Sequence, residues 1–313
     1  MQRETQILDP EELVRLPDLE IQANTIVRGF EAGLHSSARL GASMEFSHYR
    51  PYVQGDDLRL VDWKFFGRSD RLYLKQAHQE SNLACTILLD CSGSMGYASG
   101  GISKFEYAQM LAASFALLMT NQHDKVGLVA YAEGILTRIL ARANRHQFRR
   151  ILIELEGLGA TGQTSTGNAL ERLGESLPGR GMIVMISDFL FPIEDVLGQL
   201  RSLKALRHDV ILLSLADRAE RDFPFDGPVM LADPEGEERL NILPEAVREE
   251  YAQNRTRHFD LIRHECLNAG ITFHEISTDE PLDRALYEFV SRRRDSLSTR
   301  RHATQAASSR SGA

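Results

Sequence analysis

Three stretches of this chain carry oxygen-bearing side chains in an order and spacing suited to binding a hard cation. In the first, an apolar run from Cys85 to Leu89 ends in Asp90, and Ser92 and Ser94 follow at alternate positions. A short apolar run bounded by turn residues is typical of a buried strand in a parallel sheet. Carboxylate and hydroxyl oxygens are the ligands that Mg²⁺ or Mn²⁺ prefers, so the end of this strand is a candidate metal site.

Two downstream stretches supply further oxygen ligands. Thr164 lies in a small polar loop, 162–168, that opens a helix, and Asp188 follows a second apolar run at 182–187. Since parallel strands end at the same edge of a sheet, Asp188 is expected to lie beside Asp90, where open α/β sheets bind ligands. The predicted metal shell consists of Asp90, Ser92, Ser94, Thr164 and Asp188.

The same residues have a plainer interpretation. Asp and Ser after a strand also cap helices by accepting bonds from free backbone N–H groups. Ser103 precedes a helix that starts near Lys104 and could cap it, so Ser92 and Ser94 are not required for that role. A vestigial or purely structural loop therefore remains the alternative to a metal site.

From residue 84 onward, apolar strand patterns alternate with helical ones, and this predicts an α/β fold. We expect a doubly wound, mostly parallel sheet with helices on both faces. Strands are predicted at 84–90, 125–131, 134–140, 181–187, 209–215 and 271–276, and helices at 104–121, 146–156, 166–177, 193–205, 244–268 and 282–293.

The chain divides into three predicted parts. Residues 1–80 form a small N-terminal α+β region, residues 81–293 the α/β domain, and residues 294–313 a disordered tail. In the first part, we expect a helix from Leu19 to Ala32 that Gly33 ends, and a short strand at 72–76. Within the domain, an insertion at about 217–243 contains a hairpin of 229–231 and 239–242, placed at the edge of the sheet.

Charge and composition narrow the function classes. The 313 residues carry a net charge of −8, and the segment 291–313 holds six Arg and one Asp. The remaining body is acidic, and this argues against a nucleic-acid binder. Three sparse cysteines, no signal-peptide pattern and no apolar run of membrane-spanning length predict a cytoplasmic protein without a membrane span.

The three-part pattern resembles the metal-ion-dependent adhesion site of von Willebrand factor A domains. That family has D-x-S-x-S, then a Thr in a G-G-T-like loop, then an Asp after a later strand, and all five ligand positions match here. The loop departs from the family pattern because Gln163 replaces its second Gly. The resemblance implies that Asp90, Ser92, Ser94, Thr164 and Asp188 form the shell of a bound metal ion. Two carboxylates leave a divalent cation electrophilic and with an open position, which an Asp or Glu of another protein could fill.

The string from Tyr52 to Trp63, with Gly55, Asp56 and Arg59 between them, is similar to a hallmark of the bacterial domain-of-unknown-function family 58. Members resembling this chain are thought to work with MoxR-type AAA+ ATPases in the assembly or activation of other proteins. The resemblance implies that partnership. The segment itself is either a turn held by Asp and Arg with Trp63 as a core anchor, or a docking face for the ATPase.

Two rival chemistries receive little support. The stretch Gly157–Thr164 nearly matches a phosphate-binding loop, but Gln163 replaces the required Lys and a helix precedes it instead of a strand. A metal-dependent hydrolase would need a base, and His123, His146 and His208 are isolated in the sequence. Cys91 beside the metal loop is expected to be a small buried apolar residue.

We therefore expect a non-enzymatic, Mg²⁺-dependent protein-binding module. Its partners would be a MoxR-type ATPase and a client protein that offers an Asp or Glu to the metal. The alternatives are a hydrolase that uses the cation on a phosphate or ester, and a structural scaffold whose metal site is empty.

Overall fold

The computed structural model describes residues 9–36, 49–52, 61, 72–75, 84–163, 166–174, 180–236, 238–283, 285–287 and 289–291. The N-terminal part contains α1 (Pro10–Leu13), α2 (Leu19–Ser36), β1 (Tyr49–Pro51) and β2 (Tyr73–Lys75). The first half of the α/β part contains β3 (Ala84–Asp90), α3 (Lys104–Asn121), β4 (Lys125–Tyr131), β5 (Ile135–Arg142), α4 (Gln147–Gly157) and α5 (Thr166–Gly174). The second half contains β6 (Met182–Ser187), α6 (Glu194–Ala205), β7 (Asp209–Ala216), α7 (Arg218–Asp222), β8 (Val229–Ala232), β9 (Arg239–Ile242), α8 (Pro244–Ala269) and β10 (Thr272–Ser277).

The central sheet has six strands in the order β10-β7-β6-β3-β4-β5. All neighbouring pairs are parallel except β4 and β5, which form an antiparallel hairpin. The predicted doubly wound α/β fold is confirmed. The chain moves outward from β3 through β4 to β5 and then returns to build β6, β7 and β10 on the other side, so the strand order reverses between β3 and β6.

Two apolar cores cover the two faces of this sheet. Successive residues of β3 alternate between them: Ile87 and Leu89 join the core beneath α3 and α4, while Leu88 joins the core beneath α6 and α8. Strands buried on both faces explain why their sequences are continuous apolar runs. The sheet is therefore held rigidly from both sides, and its strand ends are fixed in space.

Helix α3 begins where its sequence predicts. Ser103 accepts from the N–H of Glu106, and the Glu106 carboxylate accepts from the N–H of Ser103, which completes a capping box. This cap fixes the first turn of the helix and with it Lys104, whose side chain is fully buried.

The N-terminal helices share a core with the α/β part. Ala23, Ile26 and Val27 of α2 are buried in the same apolar cluster as α3. Helix α2 continues to Ser36, so the prediction that Gly33 ends it was wrong. A glycine permits the left-handed turn that closes a helix but does not impose it. The domain boundary near residue 80 remains a prediction.

The insertion contains the predicted hairpin, β8 with β9. Among the described residues, its two strands pair with each other and not with a strand of the central sheet. Most residues of these two strands are exposed, including Met230, Leu231 and Leu240, so their side chains do not pack against the central sheet. Later in the chain, the described residues between 283 and 291 are helical, as predicted.

Candidate metal centre

The structure brings four of the five predicted ligands to one edge of the sheet. Asp90 is the last residue of β3, and Asp188 directly follows β6, the neighbouring parallel strand. Because the strand order reverses between these two strands, their carboxyl ends border the crevice where open α/β sheets bind ligands. Ser92 and Ser94 lie in the turn after β3, while Thr164 falls outside the described residues.

A chain of short contacts links Asp90, Ser92 and Ser94, three of the candidate ligands. The Ser92 N–H donates to Asp90 Oδ1 at 2.9 Å, and the Oγ atoms of Ser92 and Ser94 lie 3.1 Å apart. Ser187, the last residue of β6, donates its hydroxyl to Asp90 Oδ2 at 2.7 Å. These bonds hold one carboxylate and two hydroxyls in a single cluster.

Asp188 lies close enough to Asp90 to raise the pKa of the Asp90 carboxyl. Burial, and then the nearby charge of Asp188, raise the pKa of Asp90 from 3.8 to about 6, against the opposing effect of its bond from Ser187. Asp90 is fully buried, and Asp188 is only 3% exposed. Two neighbouring buried carboxylates are costly without a positive charge nearby.

A protein cation already lies against Asp188. The Nζ of Lys104 donates to Asp188 Oδ2 at 2.9 Å and to Glu220 Oε1 at 2.6 Å. Burial lowers the pKa of Lys104, but the two carboxylates outweigh it and raise the pKa above its usual value. The ammonium shows that a positive charge fits beside Asp188. Each carboxylate oxygen has a second lone pair for a further ligand.

The donor chemistry fits a hard divalent ion. The two carboxylates and two hydroxyls offer only oxygen, which favours Mg²⁺ or Mn²⁺ over Zn²⁺. Within the described part of the chain, no group of three or more His, Cys, Asp and Glu is arranged to hold a metal ion. Any ion here would therefore rest on Asp90, Asp188 and the serine hydroxyls.

Several residues that contact the candidate metal site were not identified from the sequence. Ser187 precedes Asp188 directly, and Lys104 follows a capping serine, but neither carried a recognised ligand pattern. Asp217 could have been identified from the sequence, since it directly follows the strand β7 as Asp188 directly follows β6. Its carboxylate caps α7 and accepts from the backbone N–H and the hydroxyl of Ser99, so it ties α7 to the loop before α3.

The three histidines considered as bases lie away from this edge. His208 accepts at Nδ1 from the N–H of Gly181, and both residues precede their strands, at the amino edge of the sheet. His123 follows α3, which runs back to that edge, and His146 follows β5, the antiparallel strand. The segment before the glycine-rich loop is helix α4, as predicted, so the phosphate-loop context is absent there.

The remaining predicted features have mixed outcomes. Cys91 is buried, as expected, and burial followed by the charge of Asp90 raises the pKa of its thiol to about 12. Of the N-terminal motif, only Tyr52 and Val61 belong to the described residues, and Gly55, Arg59 and Trp63 lie outside them. No helix among the described residues combines the length and apolarity needed to span a bilayer.

Comparison with solved structures gives distant similarities. The chain is similar to a crystal structure of the conserved hypothetical protein BatB from Bacteroides thetaiotaomicron, with 15% identity, a TM-score of 0.46, and coverage of 67% of this chain and 98% of that one. It is also similar to an aerotolerance-related membrane protein from Bacteroides fragilis, with 19% identity, a TM-score of 0.44, and coverage of 67% and 99%.

Sequence comparison gives longer matches. An uncharacterized protein of Mycobacterium tuberculosis is 27% identical over 296 residues, which cover 92% of each chain. An uncharacterized protein of Mycobacterium avium is 30% identical over 174 residues, or 53% of this chain and 99% of that protein. The family model described as "Protein of unknown function DUF58" matches residues 48–260. Because this match covers most of the chain, the protein belongs to the DUF58 family.

Proposed function

We propose that this protein is a non-enzymatic, Mg²⁺-dependent protein-binding module. The observation that supports it most is the meeting of Asp90, Ser92, Ser94 and Asp188 at the switch point of the sheet, with oxygen as their only ligand atom. Asp90 and Asp188 would hold the ion, Ser92 and Ser94 would supply neutral oxygens, and Thr164 is the fifth ligand predicted from the sequence. The bound ion would offer an open position to an Asp or Glu of another protein.

The partner assignment rests on the family resemblance. We assign a MoxR-type AAA+ ATPase and a client protein as binding partners, with a role in client assembly or activation inside the cytoplasm. A hydrolase acting on a phosphate or ester is the second candidate, but the histidines considered as bases lie at the opposite edge of the sheet. A scaffold with an empty site is the third.

Isothermal titration with Mg²⁺ and Mn²⁺ tests the metal assignment. We expect saturable binding by the unaltered protein and its loss in Asp90→Ala and Asp188→Ala. Asp195→Ala is the matched control, because this carboxylate is exposed in the first turn of α6 and should not affect binding. Unchanged binding in both site variants would overturn the metal site.

A second measurement tests the partner. The purified MoxR-type ATPase from the same organism is titrated against the protein in Mg²⁺ and in EDTA. Binding that requires Mg²⁺ and is lost in Ser94→Ala, with thermal stability unchanged, supports a metal-bridged contact. Equal binding in EDTA rejects it, while chelator-sensitive turnover of p-nitrophenyl phosphate would favour the hydrolase.

A further inference from the structure

The hairpin of β8 and β9 is attached to the body at its base. Arg248 of α8 donates to the carbonyl of Phe225 at 2.6 Å and pairs with Asp226, and Glu245 accepts from the N–H of Gly227. The ring of Phe223 stacks on Tyr251 at 4.5 Å between centroids. These contacts fix where the hairpin leaves the body, whereas the described residues from Met230 to Asn241 are exposed, apart from the half-buried Glu235.

The far end of the hairpin returns to the metal loop. A Cβ atom placed on Gly93 would collide with the carbonyl oxygen of Pro234, which belongs to the hairpin turn, and would lie 3.3 Å from that of Gly162. Gly93 stands between the two serine ligands, and its N–H donates to the carbonyl of Gly162 at 2.8 Å. The turn therefore rests directly on the backbone that carries the two hydroxyls.

The candidate ligands are almost closed to solvent in this arrangement. Asp90 and Ser92 are fully buried, and Ser94 and Asp188 are 8% and 3% exposed. A site that accepts a carboxylate from another protein must present an open position, which such burial does not offer. The turn itself is acidic: Asp233 accepts from the N–H of Glu235 to form it, and Glu235 follows Pro234. Its charge suits a position next to a cation.

We propose that the β8–β9 hairpin is a built-in lid on the metal site, whose turn must leave Gly93 before a partner's carboxylate can reach the ion. This inference rests on the proposed function and adds its regulation. The closed lid is held at the tip by a small contact, since Pro234 remains exposed, and at the base by Arg248 and its neighbours. A small contact at the tip and a firm base are the properties of a cover that opens as a unit.

The lid can be displaced without changing a ligand. In Gly93→Ala the new Cβ collides with the Pro234 backbone, so the hairpin turn and the Gly93 backbone have to separate. Gly93 has no left-handed backbone that alanine would strain. Gly96→Ala is the matched control. Gly96 lies with Gly93 in the turn after β3, and its Cβ would meet only the Ala160 side chain, at 3.4 Å. A second opened variant removes the tip of the hairpin. An Asn-Gly turn replaces residues 230–241 and joins Val229 to Ile242, which pair with each other across the hairpin.

The probe is Mn²⁺ alone, with a nitroxide attached to Glu238→Cys at the exposed end of the hairpin; the three native cysteines are buried. Bound Mn²⁺ should broaden the nitroxide spectrum equally in the parent and in Gly96→Ala, and less in Gly93→Ala. Release of Mn²⁺ is measured by stopped flow, with EDTA as the chelator and proteins that carry no nitroxide. Both opened variants should release Mn²⁺ about tenfold faster than the parent, because a local opening step of about 1.4 kcal/mol is removed.

The outcomes separate this inference from the proposed function. If the parent binds Mn²⁺ but neither opened variant releases it faster, or if Gly93→Ala shows the same broadening as the parent, the lid is rejected and the metal site stands. If the parent binds no Mn²⁺ by titration, the proposed function and the lid on it both fail.

Discussion

At the scale of single residues, Asp90 lies in surroundings that disfavour its charged form. Burial and the neighbouring Asp188 raise its pKa to about 6, so in the metal-free protein its charge opposes folding at neutral pH. Such a carboxylate is tolerated when its charged form is needed for binding, and proteins often give up stability at such positions. The loss of stability caused by the charged Asp90 can be measured, because it depends on pH.

Asp90 should make the metal-free protein less stable as the pH rises. The folded state holds this proton more tightly than the unfolded chain, so the free energy of unfolding falls as the pH rises from about 4 to about 6. A shift of about two pKa units corresponds to a loss of about 3 kcal/mol. Urea unfolding in EDTA between these pH values measures it.

Asp90→Asn isolates this contribution, since the amide keeps the shape without the charge. At pH 7.5 in EDTA we expect it to be more stable than the parent, by up to about 3 kcal/mol, and to gain nothing from Mg²⁺. The parent should gain stability from Mg²⁺ by mass action. A variant that is no more stable in EDTA would show that the raised pKa has another origin.

At the scale of elements, Lys104 joins three parts of the fold. It lies in the first turn of α3, and its ammonium pairs with Asp188 after β6 and with Glu220 in α7. Burial outweighs the ammonium at Glu220 and raises the pKa of that carboxyl. The capping box of α3 and the capping of α7 by Asp217 therefore position the partners of one buried ion cluster.

Lys104→Met should destabilise the metal-free protein by about 3–5 kcal/mol, because it leaves two carboxylates without their buried cation. Mg²⁺ should restore part of this loss, since a divalent ion beside Asp188 replaces the missing positive charge. Urea unfolding with and without Mg²⁺ measures both effects, and Lys104→Met/Glu220→Gln is the control that removes one of the stranded charges. A loss that Mg²⁺ does not reduce would place the ion away from Asp188.

At the scale of the whole molecule, the N-terminal helices and the α/β part share one core. Leu19, Ile26, Val27 and Phe30 of α2 are buried in the cluster that contains α3. Shared burial of this kind couples the stability of the two parts, since each buried apolar side chain contributes about 1.5–3 kcal/mol.

A chain that starts at residue 81 tests whether the predicted boundary separates independent domains. We expect it to lose several kcal/mol of stability and to bind the dye ANS, because the face of α3 beneath α2 becomes exposed. A chain that starts at residue 9 keeps both helices and is the control. Equal unfolding free energies for the two chains would mean that residues 1–80 form a separate domain.

The sequence by itself determined the α/β class, the limits of most elements and four of the oxygen-bearing side chains that the structure places together. It could do so because the apolar runs of β3 and β6 and the polar residues at their ends are local patterns, and parallel strands bring such ends to one edge. The end of α2 was misplaced because a glycine is only a permissive signal.

Only the tertiary structure decided what surrounds those side chains. The pairing of Lys104 with Asp188, the bond from Ser187 to Asp90 and the contact of Pro234 with Gly93 all join segments far apart in the chain. No local pattern encodes which distant segments meet, because that depends on how the helices and the hairpin pack around the finished sheet.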